Sequence, residues 1–305
     1  GGPPARGGGK THQFYASLGP TIENQEIQLT IQGQTISSNF GTIDSSQYNL
    51  EQLMSSGVSN EIFDAGNNRL TEDEVALMND LATRSYKAYS DFKSHPKFLA
   101  YLENMSTLKY YAKTNIGSRP SKRKSSDTLD FSDLRAIPFV GSWSQLKQNV
   151  PGFFGVGSAL QKFEDEGRFE EVVRFYNNSK FFKSLIDNSM MSMKKSFFDL
   201  TRYMENDPEF GEFWRLIYAE YLNSKRLVLK LANQTELMQD YPESKASIEV
   251  REEIVLPLLT IQQYALKKVK DLQGESEADQ SKRAVYEKII TRSLFGNINA
   301  SRNSA

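Results

Sequence analysis

Residues 117–145 read GSRPSKRKSSDTLDFSDLRAIPFVGSWSQ and set a cluster of cations beside a short apolar run. The cations of this cluster are Arg119, Lys122, Arg123 and Lys124. Arg135 immediately precedes the apolar run Ala136–Val140, which we interpret as a buried strand. A guanidinium group matches the edge of a phosphate, and ligands of α/β proteins collect beyond the ends of strands. The pattern predicts an anion site, but a solvated basic loop, or ion pairs of Arg135 with Asp130 or Asp133, would have the same composition.

The composition is that of an ordinary globular protein. The chain has 305 residues, of which 38% are hydrophobic and 25% charged, so it can bury a large core. A formal net charge of -1 argues against a general nucleic-acid binder and leaves a small anion as the ligand of the basic cluster. The lack of cysteine excludes disulfides and thiolate metal ligands and fits a reducing compartment. Without a long apolar run or a signal-peptide pattern, we expect a soluble, cytoplasmic protein.

Periodicity predicts a mainly helical fold with a few strands. Residues 26–40, EIQLTIQGQTISSNF, alternate apolar and polar side chains and predict a strand pair or a bent strand. Thr71 and Glu74 have the spacing of a capping box, which predicts a helix start. The run PGFFGVG, residues 151–157, predicts a tight aromatic turn into a helix. Helical periodicity then covers residues 169–176, 181–204, 209–232, 244–272 and 278–294, with breaks at Gly167, Pro208, Pro242 and Gly274.

The first residues, GGPPARGGGKT, form a glycine-rich segment around the single cation Arg6. Glycines allow backbone N–H groups to approach an anion, and such a loop can move like a lid. The letters GGGKT suggest a nucleotide-binding P-loop, but Pro4 stands where that motif needs its first glycine. His12 follows the loop and is a candidate catalytic residue, whereas His95 lies at a predicted helix start and is interpreted as structural.

Several motifs, in this order and spacing, resemble those of the phosphoenolpyruvate carboxylase family. They are GGPPARGGG at the start, IQGQ, GSRPSKRK, LRAIPFVGSWSQ, PGFFGVGSALQ and the terminal RNSA. The resemblance covers the whole chain and corresponds to the C-terminal third of the family. It implies that the chain begins just after the histidine of the family's glycine-rich loop.

The resemblance implies a fold and a domain organisation. The expected fold is mainly α with a few β-strands, as the C-terminal part of an α/β (TIM-like) barrel wrapped by a large helical bundle. Residues 1–156 would supply barrel strands and active-site loops, and residues 157–305 a helical bundle with an effector site. The family's metal is Mg²⁺, whose ligands would lie upstream of this chain, so the isolated chain is expected to be inactive.

The resemblance also implies an activity and the residues that serve it. The family joins phosphoenolpyruvate and bicarbonate to give oxaloacetate and phosphate. Arg119 and Arg135 match arginines that bind the substrate phosphate, a role that suits the guanidinium group. Arg6 matches the catalytic arginine of the mobile loop, although Pro3 and Pro4 stand where the family has small or flexible residues.

A second implied site binds the inhibitors aspartate or malate. Arg6, Lys195, Arg251 and Asn303 match its four residues, and Lys194 is an equally plausible lysine because the surrounding sequence departs from the family pattern. Occupation of the site would draw Arg6 away from the reaction. Asn303, third from the end, would then have to be ordered. The family also implies a homotetramer.

Two hypotheses of other classes remain open at this point. A non-enzymatic helical module could bind an acidic or phosphorylated partner through the basic loop 119–124, in which case Arg-to-Lys changes at positions 119 and 135 would be nearly silent. A nucleotide-binding enzyme built on GGGKT would instead depend on Lys10.

Overall fold

The computed structural model describes residues 11–18, 26, 28, 34–63, 69–111, 134–272, 274 and 276–301, and the great majority of them are helical. The helices are α1 (Thr11–Leu18), α2 (Gln34–Phe40), α3 (Ile43–Ile62), α4 (Glu72–Lys93), α5 (Phe98–Met105), α6 (Leu108–Tyr111), α7 (Ala136–Gln145), α8 (Val156–Asp165), α9 (Phe169–Asn178), α10 (Lys180–Lys194), α11 (Gly211–Ala232), α12 (Pro242–Asp271) and α13 (Glu277–Ser301). Two 3₁₀ helices, Val150–Gly152 and Phe198–Asn206, join α7 to α8 and α10 to α11. Within these ranges no helix has the length and apolarity needed to cross a membrane.

The predicted fold class is wrong, because no β-strand occurs among the residues that the structure describes. The expected α/β barrel is therefore absent from this part of the chain, which is an all-helical fold. The run Ala136–Val140, interpreted above as a strand, opens helix α7. The run forms a helix because its buried positions continue beyond Val140 with helical spacing. The buried residues of α7 are Pro138, Gly141, Ser142, Trp143 and Gln145. Pro138 is tolerated because backbone N–H groups in the first turn have no partner within the helix.

The strand predicted over residues 26–40 is also wrong where the structure describes it. Gln34–Phe40 forms helix α2, and α1 and α2 both pack against α3. Helix α3 starts directly afterwards, because the Thr42 side chain accepts a hydrogen bond from the backbone N–H of Ser45. Short alternating runs do not exclude a helix, and here the local capping and the packing on α3 decide.

Helix α4 begins where the sequence predicts. Thr71 Oγ1 accepts from the backbone N–H of Glu74 at 3.2 Å, and Glu74 Oε2 accepts from the backbone N–H of Thr71 at 2.9 Å. The capping box is thus confirmed.

An aromatic cluster forms the main core, at the meeting of α4, α5, α7 and α11. Phe92 stacks on Phe213 with ring centroids 5.2 Å apart, and Tyr101 stacks on Trp143 at 6.0 Å. Phe98 packs edge-on against Phe92 at 5.1 Å. Because Trp143 is fully buried here, α7 is anchored firmly and its two ends have fixed positions.

The predicted aromatic turn is confirmed and closes on α11. Gly155 has φ +97°, and a Cβ there would lie 2.6 Å from the carbonyl oxygen of Ser85, so only glycine fits. Glu220 of α11 accepts from the backbone N–H groups of Gly155 and Ser158, both at 3.0 Å, and from the Ser158 hydroxyl at 2.7 Å. A buried carboxylate thereby caps the start of α8.

Two details of the C-terminal half position the candidate site. The helix predicted over residues 181–204 is divided, because α10 ends at Lys194 and a 3₁₀ helix begins at Phe198. Helices α12 and α13, joined by the short connection around Gly274, pack along each other. The end of α10 consequently faces the first half of α12.

Candidate functional site

A cleft open to solvent lies where the C-terminal ends of α7 and α10 meet α12 and α13. Its volume is about 470 Å³, which includes space open to solvent. Its charged lining residues are Lys147, Lys195, Arg251 and Glu252. Ile248, Val255 and Leu259 of α12 form an apolar wall. We call this space the α10–α12 cavity.

The turn after α7 and the turn after α10 are held together by hydrogen bonds. The backbone N–H of Phe197 donates to the carbonyl oxygen of Lys147 at 2.8 Å. The Ser196 hydroxyl donates to the carbonyl oxygen of Gln148 at 3.2 Å. Lys147 takes a left-handed conformation, with φ +54°, in this turn. The two turns therefore form one wall of the cavity, which carries both Lys147 and Lys195.

Lys147 is a buried cation with only 4% of its surface exposed. Its Nζ lies 2.5 Å from Oε1 of Glu252 on the opposite wall. Burial lowers the pKa of Lys147, and the adjacent Glu252 carboxylate opposes this effect by favouring the charged amine. The pair thus spans the cavity from the α7 turn to α12.

Lys195 is half-buried at the C-terminal end of α10. The pKa of Lys195 is lowered to about 8, first by burial and then by the charges of Arg251 and Lys147, while the Glu252 carboxylate opposes these effects. Lys194, the other candidate lysine, does not line the cavity, and its Nζ lies 2.8 Å from Oε1 of Glu249. The geometry separates two neighbours that the sequence left equivalent.

Lys195 and Arg251, predicted as members of one effector site, are brought to the same cavity. The ionisable lining residues that the structure describes are three cations, Lys147, Lys195 and Arg251, and one carboxylate, Glu252, so their formal charges sum to +2. Such a concentration of positive charge in a confined space attracts a small dianion.

Polar side chains complete the floor of the cavity. Asn297 of α13 is fully buried, and its Nδ2 donates to Oε1 of Gln145 at 3.2 Å. Its Oδ1 has no hydrogen-bond partner among the described residues. A ligand with a hydroxyl or ammonium group could supply the missing donor.

Arg135 lies elsewhere, at the start of α7 and not at the end of a strand. It is half-buried, and its Nε is buried without a partner in the described part of the chain. Because α7 separates Arg135 from the α10–α12 cavity, the two sites are about 15 Å apart along the helix. The N-terminal end of a helix favours anions, which suits the predicted phosphate contact.

The remaining predicted site residues, Arg6, Arg119 and Asn303, lie outside the described residues, as does the basic loop 119–124 with Asp130 and Asp133. Lys10 and most of the glycine-rich start also lie outside. The predicted convergence of arginines on one pocket therefore stays a prediction.

The two histidines lie in helical surroundings. The His12 carbonyl in α1 accepts from the Ser56 hydroxyl at 3.1 Å. The His95 ring packs 4.9 Å from Phe213, and its Nδ1 accepts from the backbone N–H of Lys97 at 3.1 Å. His95 thus has a structural role at the helix start.

Sequence reasoning missed Lys147, Glu252 and Asn297. Lys147 follows the quoted WSQ motif by two positions, but only the left-handed turn aims its side chain into the cavity. Asn297 reaches the cavity through the packing of α13 on α12, which no local pattern encodes. The placement of Lys147 and Asn297 in the cavity thus depends on tertiary structure.

No group of three or more histidine, aspartate or glutamate side chains suited to a metal ion occurs among the residues described. That the Mg²⁺ ligands lie upstream of this chain stays a prediction of the resemblance. The family itself implies a divalent metal.

Comparison with known proteins agrees with the sequence motifs. The family model for phosphoenolpyruvate carboxylase matches residues 1–300. A phosphoenolpyruvate carboxylase of Corynebacterium diphtheriae is 31% identical over 279 residues, covering 88% of this chain and 31% of the relative. One of Corynebacterium efficiens is 32% identical over 272 residues, covering 86% of this chain and 29% of the relative.

The chain thus spans less than a third of the length of these curated relatives. The matches do not favour the helical interaction module, and the resemblance is confirmed. The chain belongs to the phosphoenolpyruvate carboxylase family.

Proposed function

We propose that this chain is part of an enzyme that carboxylates phosphoenolpyruvate with bicarbonate, giving oxaloacetate and phosphate. The observation that carries this proposal is the family match over residues 1–300. In the reaction bicarbonate attacks the phosphoryl group, giving carboxyphosphate and the enolate of pyruvate. Carboxyphosphate then breaks down to phosphate and carbon dioxide, and the enolate forms a bond with that carbon dioxide to give oxaloacetate. Negative charge accumulates on the phosphoryl oxygens and the enolate, so fixed guanidinium groups lower the barrier.

Arg135 is the described residue that we assign to the substrate phosphate. The buried Nε, which has no partner among the described residues, and the adjacent N-terminal end of α7 both support this role. We assign Arg119 to the same phosphate and Arg6 to the reacting groups on the basis of the motifs alone. The divalent metal, when bound, would neutralise further charge on the substrate.

Replacement of Arg135 by lysine tests the assignment in a protein of the relatives' full length that carries this chain. Lysine keeps the charge but loses the planar pair of donors, so we expect kcat/KM for phosphoenolpyruvate to fall by about 100-fold or more. Arg202→Lys is the matched control, because Arg202 forms an exposed ion pair with Asp199. Equal activities of the two variants would contradict the role of Arg135.

For the α10–α12 cavity we propose binding of an inhibitory dicarboxylate, aspartate or malate. The supporting observation is the meeting of Lys195 and Arg251 in a cavity whose described ionisable residues sum to a charge of +2. Two carboxylates of one small molecule would balance that charge, and Arg6 and Asn303 would complete the site. A ligand in the cavity that bound Arg6 would withdraw this arginine from the reaction at the substrate phosphate, which we place at the other end of α7.

Calorimetric titration of malate into the 305-residue chain tests this second role. We expect one saturable malate site. The absence of any heat of binding from pH 7 to pH 7.5 would contradict the proposed dicarboxylate site. The homotetramer and the cytoplasmic location stay predictions, which sedimentation of the full-length protein and cell fractionation would test.

A further inference from the structure

The ion pair between Lys147 and Glu252 is the feature of the α10–α12 cavity that the predicted effector site does not include. The pair is short, 2.5 Å between Nζ and Oε1, and the side chains of Lys147 and Glu252 are only 6% and 23% exposed. It therefore belongs to the cavity itself and is not a solvated surface pair, whose effect would be small.

The backbone of Lys147 is held beside the cavity. Its carbonyl oxygen accepts a hydrogen bond from the backbone N–H of Phe197, and its left-handed conformation sets the direction in which the side chain leaves the backbone. Glu252 is similarly placed, since it follows Arg251 directly on α12. A ligand carboxylate that approached Lys147 would lie beside the Glu252 carboxylate and be repelled by it.

The charges of the cavity give Glu252 a specific effect. Glu252 is the carboxylate among the described lining residues, and it pairs with Lys147. Without its negative charge Lys147 would become available to the ligand, whose carboxylates would then take the place of Glu252 in favouring the charged amine. The gain in binding would be larger for a dianion than for a monoanion, because the interaction scales with ligand charge.

We propose that Glu252 sets the affinity and the charge selectivity of the α10–α12 cavity, as an internal carboxylate that holds Lys147 and competes with the carboxylates of a bound ligand. This inference rests on the proposed dicarboxylate site. It makes Glu252 a specificity-determining residue that weakens binding, so that the cavity responds to high and not to low concentrations of its ligand.

The test is titration of malate, a dianion, and lactate, a monoanion, into the 305-residue chain. Glu252→Gln keeps the shape and an acceptor for Lys147 but removes the charge. We expect it to bind malate about tenfold more tightly and lactate less than about threefold more tightly. Glu253→Gln is the matched control, because Glu253 is the exposed neighbour on α12 and does not line the cavity; its malate affinity should stay within about twofold of the parent chain.

The double variant Lys147→Met with Glu252→Gln separates competition from indirect effects. If Glu252 acts by holding Lys147, the gain in malate affinity disappears in the double variant. Thermal unfolding followed by circular dichroism checks that each variant is folded, and Glu252→Ala replaces Glu252→Gln if the latter unfolds.

The outcomes distinguish this inference from the proposed dicarboxylate site. If the parent chain binds malate through Lys195 but Glu252→Gln binds it equally or more weakly, the competitor role is overturned and the site remains. If neither the parent chain nor any variant binds malate, both are overturned.

Discussion

Two carboxylates of the helical body, Glu220 and Glu252, lie in different electrostatic surroundings. Glu220 of α11 caps the start of α8 and accepts hydrogen bonds from the neutral N–H and O–H groups of Gly155 and Ser158. Glu252 of α12 lines an open cavity together with the cations Lys147, Lys195 and Arg251. Around Glu220 the N–H and O–H donors have an acceptor, whereas around Glu252 the positive charge of the described lining residues exceeds the negative. The comparison separates a region that stabilises the fold from the one that we propose as a ligand site.

The largest effect is expected on stability, when the Glu220 cap of α8 is removed. Glu220→Ala leaves the buried N–H groups of Gly155 and Ser158 without an acceptor, and we expect the free energy of unfolding to fall by about 3 kcal/mol. Urea denaturation followed by circular dichroism measures it. Glu212→Ala is the control, because Glu212 is exposed on the same helix and should cost at most about 0.5 kcal/mol. Equal losses in the two variants would show that the cap is not a stabilising feature.

A smaller effect is expected on malate binding in the α10–α12 cavity when the pH changes. The pKa of Lys195 is lowered to about 8, so the amine is charged at neutral pH and loses its proton above that value. Malate stays a dianion throughout, since carboxyl groups titrate near pH 4. We therefore expect malate affinity to be constant from pH 6.5 to 7.5 and to fall by up to about tenfold per pH unit above pH 8.

Titration calorimetry across this pH range measures the effect. Removal of the amine in Lys195→Met should flatten the profile, although Arg251, Lys147 and Glu252 continue to face the ligand. An affinity that stays constant up to pH 9.5 in the parent chain would contradict a contact between Lys195 and the ligand.

The same two regions show what the sequence could predict. The turn into α8 was predictable because Pro151 restricts the backbone and Gly155 permits its left-handed conformation, and the start of α4 because a capping box is a local motif. The strand assigned to Ala136–Val140 failed because five apolar residues are too few to distinguish a strand from the first turns of a helix.

Only some residues of the α10–α12 cavity could be predicted from the sequence. Lys195 and Arg251 were predicted from family motifs, since as single residues on helices they look like ordinary solvated cations. Lys147 and Glu252 were not predicted, because their ion pair joins positions more than a hundred residues apart and requires the packing of the α7 turn against α12. Long-range charge pairs of this kind leave no local signal in a single sequence.

The most direct test of the central claim, that the unbalanced charge of the α10–α12 cavity binds a dicarboxylate, compares two neighbouring lysines. Malate is titrated at pH 7 into the parent chain, Lys195→Met and Lys194→Met. Lys195 lines the cavity, whereas Lys194 pairs with Glu249 outside it. We predict that Lys195→Met weakens malate binding at least about tenfold while Lys194→Met changes it less than about twofold. Equal affinities of the two variants, or a loss in Lys194→Met alone, would contradict the account.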